Sequence, residues 1–389
     1  MKDHRKTIQT LFISNAILMF GFQVWRTVFN NLAVEDLGLE AGAVGAIQSM
    51  REIPGLVGFL FVLAVTLLGS EMRVMRANVV LLGVGLILTG VVQNLTLLIV
   101  GTLVTSIGFH FFTSGSAAVL LQVTTPVKAP RELGRLNSVG ALASVLATLG
   151  IFAAALVLSN RSILTLSGFL VILAGLALWP RMNIAQSHEH QHKPARESVR
   201  REYWLYYVLT FLMGARRHIF STFAIFLLVR VHGMTTWQTA LLFLVNGVVS
   251  FLALPQLGRL VGHFGEQRVL VLNFFCILLI FLGYATIDQP LILVLLFTLD
   301  NLFCGFMLAL NSYFQKIAVA PQDITPNMSL GQSINHVAAV IIPVTGGLMW
   351  EAFDPAMPFL VGAFIALLSM PLTYWLRVPR SEVAWCSAD

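Results

Sequence analysis

The chain alternates long apolar stretches with short polar ones along its whole length. A helix needs about 20 mainly apolar residues to cross the hydrocarbon core of a bilayer, and stretches of that kind recur twelve times. The pattern therefore predicts an all-α integral membrane protein with twelve transmembrane helices. The predicted spans are 8–33, 42–68, 75–93, 95–122, 133–158, 162–180, 203–230, 236–258, 268–286, 290–315, 327–350 and 356–376. Only Gln93 and Asn94 mark the turn between the third and fourth spans.

The composition excludes a soluble domain. Hydrophobic residues make up 57% of the chain and charged residues 11%, with a mean hydropathy of +0.83, whereas soluble domains carry about 25% charged residues. The first apolar stretch is too long for a cleavable signal, so we expect it to remain as a span. The three cysteines are too scattered for a disulfide framework or a zinc motif. No phosphate-binding Gly-x-x-x-x-Gly-Lys-Ser/Thr motif occurs, so we expect no cofactor and an ion gradient as the energy source.

The positions of the basic residues predict the orientation. With the N-terminus inside, 18 of the 24 Lys and Arg residues fall in cytoplasmic segments, and only Arg161 and Arg230 fall in outer loops. Because Lys and Arg concentrate on the cytoplasmic side, we expect both termini there, in a multi-pass protein of the inner (cytoplasmic) membrane. The same asymmetry explains the net charge of +6, so no nucleic-acid partner is expected.

One long polar stretch divides the chain. Residues 181–202 are predicted to be a cytoplasmic linker between an N-terminal six-helix bundle, 1–180, and a C-terminal six-helix bundle with a short tail, 203–389. The halves share weak matches 197 residues apart, such as Gly108-Phe109 with Gly305-Phe306. Alternating histidines in the linker, at 188, 190 and 192, could ligate a metal. In a polar loop they are more often solvated, so no metal site is predicted.

Two short motifs resemble those of the major facilitator superfamily. Residues 258–268 (GRLVGHFGEQR) are similar to its cytoplasmic loop motif, Gly-x-Leu-x-Asp-basic-x-Gly-basic. Gly258, Gly265 and Arg268 are predicted gating-loop residues, whereas Gly262 replaces the acid. Residues 343–347 (PVTGG) resemble the Gly-Pro-x-x-Gly-Gly region, and Val104 occupies the fourth-span position where many proton-coupled drug exporters have arginine. The resemblance implies two pseudo-symmetric bundles, alternating access, and a central site lined by the first, fourth, seventh and tenth spans.

Several ionisable residues lie within the predicted spans. A charge at the bilayer centre costs at least about 2.5–3.5 kcal/mol, so such residues are functional candidates. They are Arg26, Arg51, Glu52, His110, Arg216, Arg217, His218, Asp300 and His336. Four arginines against two acids leave a cationic surplus, which water or an anionic solute must compensate.

Helical spacing separates residues that face a cavity from those that face other helices. Gln23, Arg26 and Asn30 share one face of the first span, and Gly214, Arg217 and Ser221 share one face of the seventh. Arg216 lies on another face, so we expect it to pair with an acid. The predicted solute-binding residues are Gln23, Arg26, Arg51, His110, Arg217, Asn246 and His336, and the predicted proton-coupling residues are Glu52 and Asp300.

Structural roles remain open for several of these residues. Glu52 could neutralise a neighbouring charge, Arg26 could extend towards the outer surface, and the histidines and Asn246 could hold helices together. The chain is predicted to be a monomeric transporter, not an enzyme, that moves a small anionic or zwitterionic solute with H⁺ as the coupling ion. The alternatives are an efflux pump for hydrophobic compounds, favoured by 28 phenylalanines, and a membrane sensor that does not transport.

Overall fold

The computed structural model describes residues 2–57, 70–124, 128–178, 200–319 and 321–376, and these residues contain helices and no strands. The helices are α1 Lys2–Asn31, α2 Ala41–Leu56, α3 Glu71–Gly90, α4 Leu95–Gln122, α5 Ala129–Ala154, α6 Asn160–Ala177, α7 Trp204–Arg230, α8 Thr236–Phe264, α9 Glu266–Thr286, α10 Pro290–Cys304, α11 Met307–Ile317, α12 Pro321–Ala352 and α13 Met357–Tyr374. A π-helical turn, Leu32–Asp36, extends α1, and a 3-10 turn, Arg201–Tyr203, precedes α7.

Within these ranges, eleven helical segments are long and apolar enough to span a membrane, which confirms the predicted all-α membrane fold. The remaining predicted span, 42–68, is described only as far as α2. The narrow turn between the third and fourth spans is also confirmed. Asn94 caps α4 there, because its side-chain oxygen accepts a hydrogen bond from the Leu97 N–H at 2.9 Å.

The tenth span differs from the prediction of one continuous helix. It is broken into α10 and α11, and the intervening Gly305 and Phe306 N–H groups bond to carbonyls only three residues back. Glycine has a low helix propensity, which permits the break. The apolar pattern continues through this segment, so it gave no signal of an interruption.

The chain packs into two compact units. The first comprises the described part of Met1–His190 with Thr222–Gly247 and Ala339–Pro355, and the second comprises the described part of Gln191–Ser221, Val248–Ala338 and Ala356–Asp389. Parts of α7, α8 and α12 thus pack with the first six helices. The predicted boundaries at 180 and 203 stay a prediction, and all but the last three residues of the predicted linker, including the histidine tract, lie outside the described residues.

Close packing of small residues and of aromatic residues holds the helices of each unit together. Gly83 on α3 and Gly168 on α6 face each other, and a Cβ atom on either glycine would lie within 3.0 Å of the other's carbonyl oxygen. The absence of side chains therefore allows α3 and α6 to approach closely. In the second unit, Tyr206, Phe274 and Phe314 join one buried cluster, which packs α7, α9 and α11 together.

Candidate functional site

In the first unit, α2 and α4 bring together an arginine, a glutamate and a histidine. Arg51 Nη2 lies 2.5 Å from Glu52 Oε1, and His110 Nε2 lies 3.9 Å from Glu52 Oε2. Glu52 and His110 are buried, whereas Arg51 is half-buried. We call Arg51, Glu52 and His110 the Arg51 cluster. It unites two predicted solute-binding residues with a predicted proton-coupling residue.

Aromatic side chains border the Arg51 cluster. The Arg51 guanidinium lies 5.3 Å from the centre of the Trp25 ring, within cation–π range. The Phe22 and Phe109 rings stack 3.7 Å apart, and the Ser106 hydroxyl donates a hydrogen bond to the Arg51 carbonyl. Apolar rings weaken local screening, so the charges of this cluster interact more strongly with each other and with any charged solute nearby.

The predicted polar face of α1 is only partly exposed. Arg26 is exposed, with its guanidinium 5.1 Å from the Phe243 ring of α8. Gln23 and Asn30 are buried, and the Gln23 side-chain amide donates to the Thr27 hydroxyl at 3.2 Å. The prediction that these three residues face a cavity stays a prediction, and two of them are covered by neighbouring helices. Asn246 of α8 is also buried.

In the second unit, Arg216 of α7 and Asp300 of α10 form an ion pair. Arg216 Nη1 lies 2.8 Å from Asp300 Oδ1, and both side chains are almost fully buried. The Cys304 thiol lies one helical turn after Asp300 and donates to Asp300 Oδ2 at 3.6 Å. The expectation that Arg216 pairs with an acid is therefore confirmed. That acid is Asp300, which the sequence had suggested as a proton carrier.

The adjacent arginine, Arg217, is exposed to a cavity that both arginines line. Arg217 and Ser221 are exposed, as predicted for the wet face of α7. The cavity has a volume of about 240 Å³, and α7, α8 and the break between α10 and α11 form its walls. Its polar lining includes Arg216, Arg217, Ser250 and Asn301. Among the described residues Arg217 forms no ion pair within contact distance, although its charge acts on the nearby Asp300.

The rest of this cavity is pre-organised by hydrogen bonds and by the helix break. The Asn301 amide donates to the Ser250 hydroxyl at 2.8 Å, which fixes one polar wall. Cys304, Gly305 and Met307 line the cavity where α10 ends and α11 begins. In membrane proteins, interrupted helices are tolerated where they border a cavity, and they commonly mark binding sites.

Gly214 and two histidines singled out from the sequence are buried in the second unit. Gly214 is buried rather than exposed on the Arg217 face, and a Cβ atom there would lie 2.7 Å from Asn335 Oδ1 of α12. Gly214 therefore lets α7 and α12 approach closely. His336 on α12 and His218 on α7 are both buried.

The predicted gating-loop motif lies where α8 meets α9. Gly258 is in α8, Arg268 is exposed in α9, and Gly265 joins the helices with φ +81°. A left-handed backbone of this kind favours glycine. Glu266, which the motif does not predict as a functional residue, is buried and contacts Lys316 Nζ at 2.6 Å and Ser312 Oγ at 2.7 Å. These contacts connect the loop to the end of α11.

Sequence reasoning also missed a polar network in the first unit. Asn160, at the start of α6, donates to Glu35 Oε2 at 3.0 Å and to Asp36 Oδ2 at 2.9 Å, and both acids come from the π-helical turn. Arg161 Nε lies 3.2 Å from Asp36 Oδ1. The Thr236 hydroxyl of α8 donates to Asn160 Oδ1 at 2.5 Å. We call Glu35, Asp36, Asn160, Arg161 and Thr236 the Asn160 network.

Further contacts lie beside the Asn160 network in the same unit. Asn31 Nδ2 donates to the Met234 carbonyl at 2.7 Å, which connects α1 to the turn before α8. Glu351 Oε1 of α12 accepts from the Gly42 N–H at 2.7 Å, and Glu40 pairs with Arg230. This end of the unit carries loops 37–40 and 231–235, which the basic-residue pattern places on the outer side.

The model of the Major Facilitator Superfamily matches residues 11–323, most of the chain. The chain belongs to the Major Facilitator Superfamily. The resemblance drawn from its two short motifs is therefore confirmed, and with it the general activity of a membrane transporter of small solutes. No curated protein matches this sequence significantly.

Solved transporter structures share the superfamily fold with this chain. The nucleoside transporter NupG matches with a TM-score of 0.77 at 14% identity, covering 95% of this chain and 99% of NupG. A bacterial homologue of the human lysosomal transporter Spinster matches at 0.74 and 12% identity, covering 95% of each chain. The peptide transporter POT, in complex with sulfate, matches at 0.72 and 14% identity, covering 95% of this chain and 93% of POT. At these identities the likeness establishes the fold and not the solute.

Proposed function

We propose that this superfamily member is a proton-coupled secondary transporter that moves a small anionic or zwitterionic solute by alternating access. The observation that carries the proposal concerns Arg217 of the transmembrane helix α7. Arg217 lines a cavity and has no ion-pair partner among the described residues. The adjacent Arg216 is neutralised by Asp300, so the cavity keeps a net cationic character. An anionic group on the solute would compensate that charge.

The Arg51 cluster supports proton coupling. Glu52 contacts a permanent cation, Arg51, and a titratable group, His110, within one buried site. A carboxylate in such surroundings changes its proton affinity when a neighbouring charge moves or is neutralised. Solute binding near Arg51 would weaken the ion pair between Arg51 and Glu52. Glu52 or His110 would then bind or release the coupling proton. Asp300 is the second proton-coupling candidate, and its contact with Arg216 favours a structural role.

The contacts of the Asn160 network support one conformational assignment. They connect α6 to α8 and to the π-helical turn that extends α1. The basic-residue pattern predicts that this end of the helices faces the outer side of the membrane. We infer that this end is closed in the present structure. To open the protein towards the outside, the hydrogen bonds of the Asn160 network would have to break, and their donors and acceptors would bond to water instead.

A ligand panel tests the proposed solute class. We would measure thermal stabilisation of the purified protein by carboxylates, organophosphates, amino acids and lipophilic quaternary ammonium cations. At least one anionic or zwitterionic compound should stabilise the protein and then be transported into proteoliposomes in response to a pH gradient. Stabilisation by the cations alone would favour the hydrophobic-compound efflux pump. Binding of an anion without transport would favour the sensor.

A further inference from the structure

The second unit contains another cavity, far along α7 from Arg217, where one end of each of three helices meets the others. It has a volume of about 480 Å³ and lies at the start of α7, the end of α11 and the end of α13. Its lining includes Glu202 and the aromatic residues Tyr203, Trp204, Tyr313, Tyr374 and Trp375. Tryptophan and tyrosine concentrate at the level of lipid headgroups in membrane proteins, so this cavity lies at a membrane boundary.

The aromatic walls are open to the surroundings rather than buried in the protein. Trp204, Tyr374 and Trp375 are 46%, 66% and 61% exposed, whereas Tyr203 and Tyr313 form the buried floor. The Trp204 and Trp375 ring centres are 6.2 Å apart, with a tilt of 56° between the rings. The faces of indole and phenol rings attract cations, and several rings around one space form a site for an ammonium group.

The cavity is lined by one carboxylate, that of Glu202, and an exposed arginine, Arg201, precedes it in the chain. Arg200 Nε pairs with Asp323 Oδ2 at 3.0 Å, and Lys316 pairs with Glu266, so these neighbours are satisfied. Glu202 and Arg201 are both exposed, and neither has an ion-pair partner among the described residues. They are consecutive in the 3-10 turn that precedes α7. A carboxylate thus lines the cavity, and an exposed guanidinium comes from the residue before it in the chain.

From this arrangement we propose that the cavity binds the headgroup of an amine-bearing zwitterionic phospholipid. The ammonium group lies against the Trp204 and Trp375 rings and donates to Glu202, while the phosphate contacts Arg201. The location at helix ends favours a lipid over a dissolved amine, because the acyl chains can remain beside the apolar faces of α7 and α13. This lipid site is separate from the solute cavity and does not depend on the proposed solute.

The test is lipid competition on the full-length, delipidated protein, followed by native mass spectrometry. Phosphatidylethanolamine and phosphatidylglycerol with identical acyl chains would be offered in equal amounts. The wild type should retain phosphatidylethanolamine preferentially. Glu202→Gln should reduce that preference about tenfold, as loss of a charge-assisted hydrogen bond predicts. Trp375→Leu should reduce it about two- to fivefold, whereas Trp375→Tyr, which keeps an aromatic face, should largely preserve it.

Matched controls separate the site from general effects on the protein. Asp288→Asn and Phe353→Leu remove an exposed acid and an exposed ring elsewhere, and both should leave the preference unchanged. Arg201→Gln should weaken the binding of both lipids equally, because both carry phosphate. Equal retention of the two lipids by the wild type, or an unchanged preference in Glu202→Gln, would overturn the proposal and leave the aromatic residues as membrane anchors. Competition by O-phosphoethanolamine at concentrations as low as those of the lipid would also overturn it, because the occupant would then be a soluble amine.

Discussion

The Arg216 guanidinium lies 2.8 Å from the Asp300 carboxylate within the second unit, and almost no surface of either side chain is exposed. The pair connects α7 and α10, and Arg216 also lines the cavity that contains Arg217. Breaking a buried pair leaves one charge without compensation, which costs about 3–5 kcal/mol. We therefore expect the pair to stabilise the contact between α7 and α10.

The first prediction concerns this ion pair. Arg216→Met should lower the melting temperature strongly and reduce the yield of folded protein, because Asp300 would remain charged and buried. The double variant Arg216→Met/Asp300→Leu should recover most of the stability, since no charge is left to compensate. Fluorescence-detected gel filtration after heating measures both. If the double variant is no more stable than the single one, the two side chains do not act as a pair.

The second prediction concerns Arg217, which differs from Arg216 in exposure and in partners. Arg217→Gln should fold and melt like the wild type but bind the solute about ten- to a hundredfold more weakly, the loss expected for a charge-assisted hydrogen bond. Arg217→Lys should recover only part of the affinity, because lysine keeps the charge but lacks the planar fork. Binding would be measured by calorimetry with a solute identified in the ligand panel.

The control for Arg217 is Arg135→Gln. Arg135 is exposed, and its one ion pair within the described ranges is with Glu132, one helical turn away at 2.9 Å, so its loss should change neither stability nor affinity. Collapse of folding in Arg217→Gln, with rescue by neutralising Asp300, would instead show that Arg217 belongs to the buried pair.

The third prediction concerns the Asn160 network. Asn160→Ala removes the amide that holds Glu35 and Asp36 and the acceptor for Thr236. The two carboxylates would then repel each other with less compensation, and the closed state should lose about 1–3 kcal/mol. Labelling of a single cysteine at position 46, a half-buried site in the first half of α2, should become several-fold faster than in the protein that keeps Asn160.

Thr165→Ala is the matched control for Asn160→Ala. Thr165 lies on the same helix, and its hydroxyl donates a hydrogen bond to the Arg161 carbonyl of that helix at 2.8 Å. It should not change the labelling rate. Equal labelling of the wild type and Asn160→Ala would mean that the network does not control opening of this end.

The fourth prediction tests the orientation. Single cysteines at positions 40 and 187 of a cysteine-free variant should react differently with an impermeant thiol reagent added to intact cells. Position 40 should label from outside and position 187 only after lysis, because the basic residues concentrate in segments on the side of position 187. Labelling of both positions from outside would contradict the proposed topology.

The sequence was sufficient for the fold because a bilayer imposes a strong and simple pattern. Each span must be apolar over a fixed length, so the helices and the turn at Asn94 could be located. Helical spacing also separated Arg216, which is buried and paired, from Arg217, which is exposed. Both inferences depend only on residues that are close together along the chain.

The remaining features depend on residues far apart in sequence. Asn160 and Asp36 are separated by 124 residues, and Asn160 looked like an ordinary loop residue at the start of a span. The buried positions of Gln23 and Gly214 likewise depend on which helices pack beside them, which periodicity does not reveal. The break at Gly305 left the apolar pattern intact. That this glycine interrupts the helix and borders a cavity can be seen only in the structure.

The division of α7, α8 and α12 between the two units has a consequence for split versions of the protein. If the gene were cut within 181–202, the second polypeptide would contain Thr222–Gly247 and Ala339–Pro355, but the helices on which they pack would be in the first. Phe226 is fully buried, and Ala41 of the first polypeptide lies against Gly347 of the second. Co-expressed fragments would therefore have to assemble in the membrane before the second could complete its own tertiary structure.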